Sequence, residues 1–152
     1  PVAAAAGVWD ALAAAGARPC GMTALEARRI ELGVPRIGLD MDEHCLSLEV
    51  PVDDLVSFRK GCYLGQEVVA RGTARGHVNR KLVGLRCDTA APRGTTLQHD
   101  GKDVGVLTSV ARAPAAGDVV ALGFVRREHW EAGTPLALAS GGRAVVAAWP
   151  LA

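Results

Sequence analysis

Aromatic residues are scarce in this chain, at 4% of 152 residues. Without aromatics interleaved among basic side chains there is no stacking platform for bases, so recognition of RNA or single-stranded DNA has little support. A surplus of one charge is missing too. The formal net charge is +1, and no global field draws the chain to nucleic acid or to a membrane surface. The four cysteines, Cys20, Cys45, Cys62 and Cys87, form no C-x-x-C pair and keep no ordered spacing with histidine. That argues against a disulfide framework and against a zinc site, and scattered free thiols suit a reducing cytoplasm. No apolar run approaches a membrane span, and no signal peptide is visible. Walker, G-x-G-x-x-G, G-x-S-x-G and H-E-x-x-H patterns are absent. Nucleotide hydrolysis, dinucleotide redox chemistry and serine hydrolysis are therefore unsupported.

What is present is apolar and small. Hydrophobic residues make up 49%, mostly alanine, valine and leucine, enough for one core built from short side chains. The chain starts at Pro1 and runs straight into a predicted helix over residues 2–16, the start expected of a piece of something longer. Val8, Trp9 and Leu12 share one side of that helix, so Trp9 is expected in the core. Thr23 and Glu26 have the spacing of a capping box for a second helix, which Gly33 and Pro35 stop near Leu32. Apolar residues lie on most sides of this helix, so most sides should be packed and Arg28 and Glu31 at least partly covered. Standing three residues apart, they either satisfy each other or leave Glu31 facing a ligand. Asp40, Asp42, Glu43 and His44 follow in close order but lack the glycine and spacing of a calcium loop, so a solvated loop is expected. Leu46–Val50 alternates like a short strand ended by Pro51.

From Lys81 the apolar period becomes two. Strands are predicted over 82–87, 95–97, 103–110, 118–125, 135–139 and 143–149, with a hairpin at Asp100-Gly101 and another turn at Gly141-Gly142. One helical turn is predicted over 126–130. Short strands parted by Gly and Pro turns imply a small closed antiparallel barrel, and with the helices an α+β chain. The basic residues Arg75, His77, Arg80, Lys81 and Arg86 could grip a phosphate or carboxylate, or form a solvated rim.

The stretch with the most chemistry is Ser57-Phe58-Arg59-Lys60-Gly61-Cys62-Tyr63-Leu64-Gly65-Gln66-Glu67-Val68-Val69-Ala70-Arg71. A thiol between two glycines, just before a predicted helix N-terminus and flanked by Lys60 and Arg71, is placed to favour the thiolate. The alternative is a tight turn with its thiol in the core, where free cysteines usually lie.

The pattern Lys60-Gly61-Cys62-Tyr63-x-Gly65-Gln66-Glu67-x-x-x-Arg71 resembles the signature of the YgfZ family. These are folate-binding relatives of the glycine-cleavage T-protein (aminomethyltransferase) that serve iron–sulfur cluster assembly or repair. The stretch Arg28-Arg29-Ile30-Glu31-Leu32-Gly33-Val34-Pro35 is similar to that family's Arg-Ile-Glu-Ala-Gly-x-Pro. The resemblance implies tetrahydrofolate, or a one-carbon derivative, as cofactor. It implies that Glu31 reads the pterin, with Arg28 beside it and Leu25 where some members carry an aromatic. It makes Cys62 the reactive thiol, Lys60 its cationic neighbour, and Gln66, Glu67 and Arg71 the residues that hold the loop. Residues 1–76 would be the end of a T-protein-like folate region and 77–152 its terminal barrel. Iron–sulfur enzymes or assembly proteins, and an N-terminal domain outside this chain, would be partners. Two other readings stay open: a folate-dependent aminomethyltransferase, and a non-catalytic fragment.

Overall fold

Period-two alternation in the second half of the chain closes into a barrel. The computed structural model describes residues 2–51, 57, 60–67, 78–113 and 119–151. Its strands are β1 (Arg80–Cys87), β2 (Thr96–His99), β3 (Lys102–Arg112), β4 (Val119–Arg126), β5 (Pro135–Leu138) and β6 (Arg143–Ala147). The order β1-β4-β3-β2-β5-β6 is antiparallel throughout, and β6 pairs back onto β1 to close it. Alternate residues fill the interior, among them Leu85, Leu97, Leu107, Val125 and Val146. The other face of β4, with Val120, Leu122 and Phe124, joins Ile30, Leu82 and Leu151 in a second core. That is why seven of the eight β4 residues are buried: one face lies inside the barrel, the other under a helix.

The β2–β3 hairpin turns where expected. Asp100 and Gly101 both have positive φ, 49° and 74°, as a two-residue primed turn requires. The predicted helical turn is a 3-10 turn over Arg127–His129. Gly105 marks the tightest strand contact, where an added Cβ would lie 2.3 Å from the Phe124 carbonyl oxygen and 3.2 Å from Leu97. Backbone cannot yield as a side-chain tip does. Gly105→Ala is expected to destabilise the barrel by about 1–3 kcal/mol, measured as a lowered thermal midpoint; an unchanged midpoint would contradict this packing.

Among the described residues, the α-helices α1 (Ala5–Ala14) and α2 (Met22–Glu31) precede the barrel. The expected burial of Trp9 does not occur. Trp9 is 59% exposed, Val8 and Leu12 are similarly open, and α1 buries none of its residues. A helical period identifies an apolar face without showing that anything covers it.

In α2 the capping box does not form. The N-cap is Gly21 with no side-chain bond, because Glu26 is drawn instead to Arg29 and Arg36. The predicted stop is present: Gly33 at φ 73° follows the last turn, and Gly33 and Val34 N–H groups donate to the Ile30 and Arg29 carbonyls in a Schellman pattern. Packing on most sides is also corrected. Only Ala27, Arg29, Ile30 and Glu31 are buried, against β3 and β4, while Leu25 and Leu32 remain exposed. Residues 46–50 do not make a strand. Ser47–Glu49 is a 3-10 turn that carries Glu49 inward to Arg80.

Candidate functional site

The last turn of α2 presents Glu31, whose side chain is only 7% exposed. Arg28 Nη1 donates to its Oε2 at 3.0 Å, from a side chain that is itself mostly in solvent. Among the described residues its other oxygen, Oε1, has no hydrogen-bond partner. A carboxylate at a helix C-terminus opposes the local dipole, and the Arg28 charge offsets that. The ion pair expected of the two residues forms. Leu25 is exposed on the same helix and offers no ring there. The Glu31 backbone is fixed as well, its carbonyl accepting from Leu151 N–H at 2.8 Å.

Beside Glu31 lies a network that the sequence does not announce. Arg29 donates to Asp40 Oδ2 at 2.8 Å, to Ser109 Oγ at 2.7 Å and to Glu26 Oε2 at 2.8 Å. Thr108 and Ser109 hydroxyls both donate to Asp40 Oδ1 at 2.6 Å, and Arg36 N–H to Oδ2 at 3.0 Å. Asp40 is therefore 1% exposed. It is the buried anchor between α2 and β3, not part of a solvated loop; Asp42, Glu43 and His44 are exposed as expected. The Arg29 hydrogen bond, first among several causes, holds the Glu26 carboxyl below its usual range. The available signal was the Thr108-Ser109 hydroxyl pair within the otherwise apolar run 104–111 of β3.

Cys62 lies exposed in the turn before a helical start at Gln66. Gly65 adopts φ 87°, and Gln66 Oε1 accepts from Tyr63 N–H at 3.1 Å, bridging the turn. The Lys60 ammonium stands 4.6 Å from the Tyr63 ring centroid, a cation–π contact. Leu64 projects fully into solvent and Glu67 is exposed. Arg71, with Arg75 and His77, lies outside the described residues. The half-buried Cys45 and the buried Cys87 are poor nucleophiles: burial first, then Glu49, pushes Cys45 up to about 11, and burial does the same to Cys87.

Two residues of the basic run serve the fold. Arg80 pairs with Glu49 at 3.0 Å and stacks on Phe124, and Arg86 donates to the Leu151 carbonyl. The candidate residues thus fall into two groups. Arg28 and Glu31 bond to each other on α2, and Lys60, Tyr63 and Gln66 organise the Cys62 turn.

Residues 80–149 match the family described as the glycine cleavage T-protein C-terminal barrel domain. An aminomethyltransferase of Saccharopolyspora erythraea is 36% identical over 146 residues, covering 91% of this chain and 40% of the relative. One from Rippkaea orientalis is 34% identical over 132 residues, covering 85% and 36%. A putative chloroplastic transferase of Arabidopsis thaliana is 34% identical over 121 residues, covering 80% and 28%. The chain thus spans two fifths or less of the length of these three relatives. The crystal structure of glycine cleavage system aminomethyltransferase T from Bartonella henselae superposes with a TM-score of 0.80 at 23% identity, over 100% of this chain and 45% of that one. That likeness concerns the fold.

Proposed function

We propose that this aminomethyltransferase-like chain, whose residues 80–149 match the glycine cleavage T-protein C-terminal barrel domain, serves folate-dependent one-carbon transfer. The observation that carries this reading is Glu31: a nearly buried carboxylate, held by one guanidinium, with one oxygen still able to accept. A pterin presents an amino group and a ring N–H side by side, and a carboxylate accepts such a pair of donors with both oxygens. Bound tetrahydrofolate would supply the acceptor for the one-carbon unit. Glu31 would orient its pterin, and Arg28, retaining its bond to Oε2, would hold Glu31 in place. Leu25 would contribute apolar contact without stacking.

Relatives named aminomethyltransferase weigh toward this reading over service to iron–sulfur enzymes. One feature favours the second reading. The exposed Cys62, at a turn ordered by Tyr63 and Gln66, is placed to exchange with a partner thiol or touch a cluster. It would need ligands from elsewhere, since clusters normally take four.

Titrating the full chain with tetrahydrofolate, followed calorimetrically, tests the first reading: saturable binding is expected, and none at millimolar ligand would overturn it. Cys62→Ala separates the two. Unchanged folate binding and one-carbon transfer are expected if the thiol is not needed. Loss of iron–sulfur enzyme activity in cells carrying the variant would favour the second reading.

A further inference from the structure

The segment that leaves β6 returns to α2 at the residue that matters most. Leu151 is fully buried. Its N–H donates to the Glu31 carbonyl at 2.8 Å, and its own carbonyl accepts from Arg86 on β1. Between the helix end and the barrel lies the Trp149 indole. A Cβ on Gly33, two residues past Glu31, would lie 2.7 Å from Trp149 Cδ2; one on Gly84 in β1 would lie 2.8 Å from Trp149 Cη2. One ring therefore fills the slot left by two glycines, one on each element, and fixes the distance between them.

We propose that Trp149 and Leu151 are positioning residues for Glu31, a strap that sets where its carboxylate stands. This rests on the reading of Glu31 as the pterin-binding group. Main-chain atoms of Glu31 and Gly33 are held from one side by the strap, while among the described residues Arg28 alone holds the carboxylate from the other. With the strap slack, the last turn of α2 can shift against β1, and small misplacements of a binding group carry large penalties.

The test uses Trp149→Leu, too small to span both glycines, with Trp149→Phe as the conservative variant. Two readouts are taken: the 13Cδ resonance of Glu31 without ligand, and the tetrahydrofolate Kd. Trp149→Leu is expected to move the Glu31 resonance and to weaken binding about tenfold, leaving interior resonances such as Leu97 and Leu107 in place. Trp149→Phe should restore both. If the wild type binds and Trp149→Leu binds equally well, the strap is overturned and the folate reading stands. If the wild type does not bind, the folate reading fails, and an unmoved Glu31 resonance in Trp149→Leu overturns the strap separately. Should Trp149→Leu not fold, Arg86→Gln, which frees the Leu151 carbonyl, is expected to move the same resonance; no movement there overturns the strap as well.

Discussion

Asp40→Ala is expected to lower the free energy of unfolding by about 3–5 kcal/mol, read as a reduced urea midpoint with an unchanged slope. Asp40 accepts four hydrogen bonds, from Arg29, Thr108, Ser109 and the Arg36 backbone. Removing it leaves the 9% exposed Arg29 side chain with Glu26 as its remaining counter-charge and the buried Ser109 hydroxyl short of an acceptor, while Thr108 keeps only its longer bond to the Leu122 carbonyl at 3.2 Å. A buried charge that has lost its better-buried partner is what makes breaking such a pair costlier than deleting it whole. The double replacement of Arg29 by Met and Asp40 by Leu should therefore recover part of the loss, though not the two hydroxyl bonds. If Asp40→Ala costs under about 1 kcal/mol, the network is behaving as a solvated surface pair and its role as anchor is wrong. Acid should loosen the same region. Because the Glu26 carboxyl is held below its usual range, its contribution is present above the ordinary carboxylate pKa and is lost as pH falls through the lowered value.

The barrel was legible because its signals are local. Alternation in 82–87 and 118–125, and Asp100-Gly101 between two apolar runs, carry their own geometry. The helices were half legible. Glycine at position 33 specified a left-handed stop by itself, whereas Thr23 and Glu26 had the spacing of a cap and lost it to two arginines, one of them ten residues along the chain from Glu26. Asp40 could not be placed from its own surroundings in the sequence, since its hydroxyl partners stand 68 and 69 residues away. Leu46–Val50 shows the reverse error: alternation without a strand, because Glu49 turns inward to meet Arg80 thirty-one residues later. For Glu31 the sequence alone left ion pair and ligand site open. Only packing against the barrel shows that the carboxylate is buried while its arginine is not. Lys60 was expected beside the Cys62 anion; its ammonium contact is the Tyr63 ring, a partner that spacing did not single out.

Glu31→Gln should weaken tetrahydrofolate binding about a hundredfold while moving the unfolding midpoint little. The two quantities separate because the substitution keeps the shape of the side chain. The glutamine amide retains one carbonyl oxygen and replaces the other acceptor by an NH2, which would meet a pterin donor with a donor. A site built to accept a hydrogen bond and left with that bond unmade loses discrimination of this order or more. Stability changes less, since the variant also removes a charge that the fold keeps nearly out of water beside one exposed arginine. Arg28 becomes a free surface residue at small cost. Calorimetric titration of wild type and variant, paired with urea unfolding of both, decides it. Equal affinities would remove Glu31 from the pterin site. A loss of affinity matched by a comparable loss of stability would mean that the carboxylate holds the helix end rather than the ligand. Only the split, binding lost and fold kept, fits a carboxylate that α2 and the barrel bury with one oxygen left to accept.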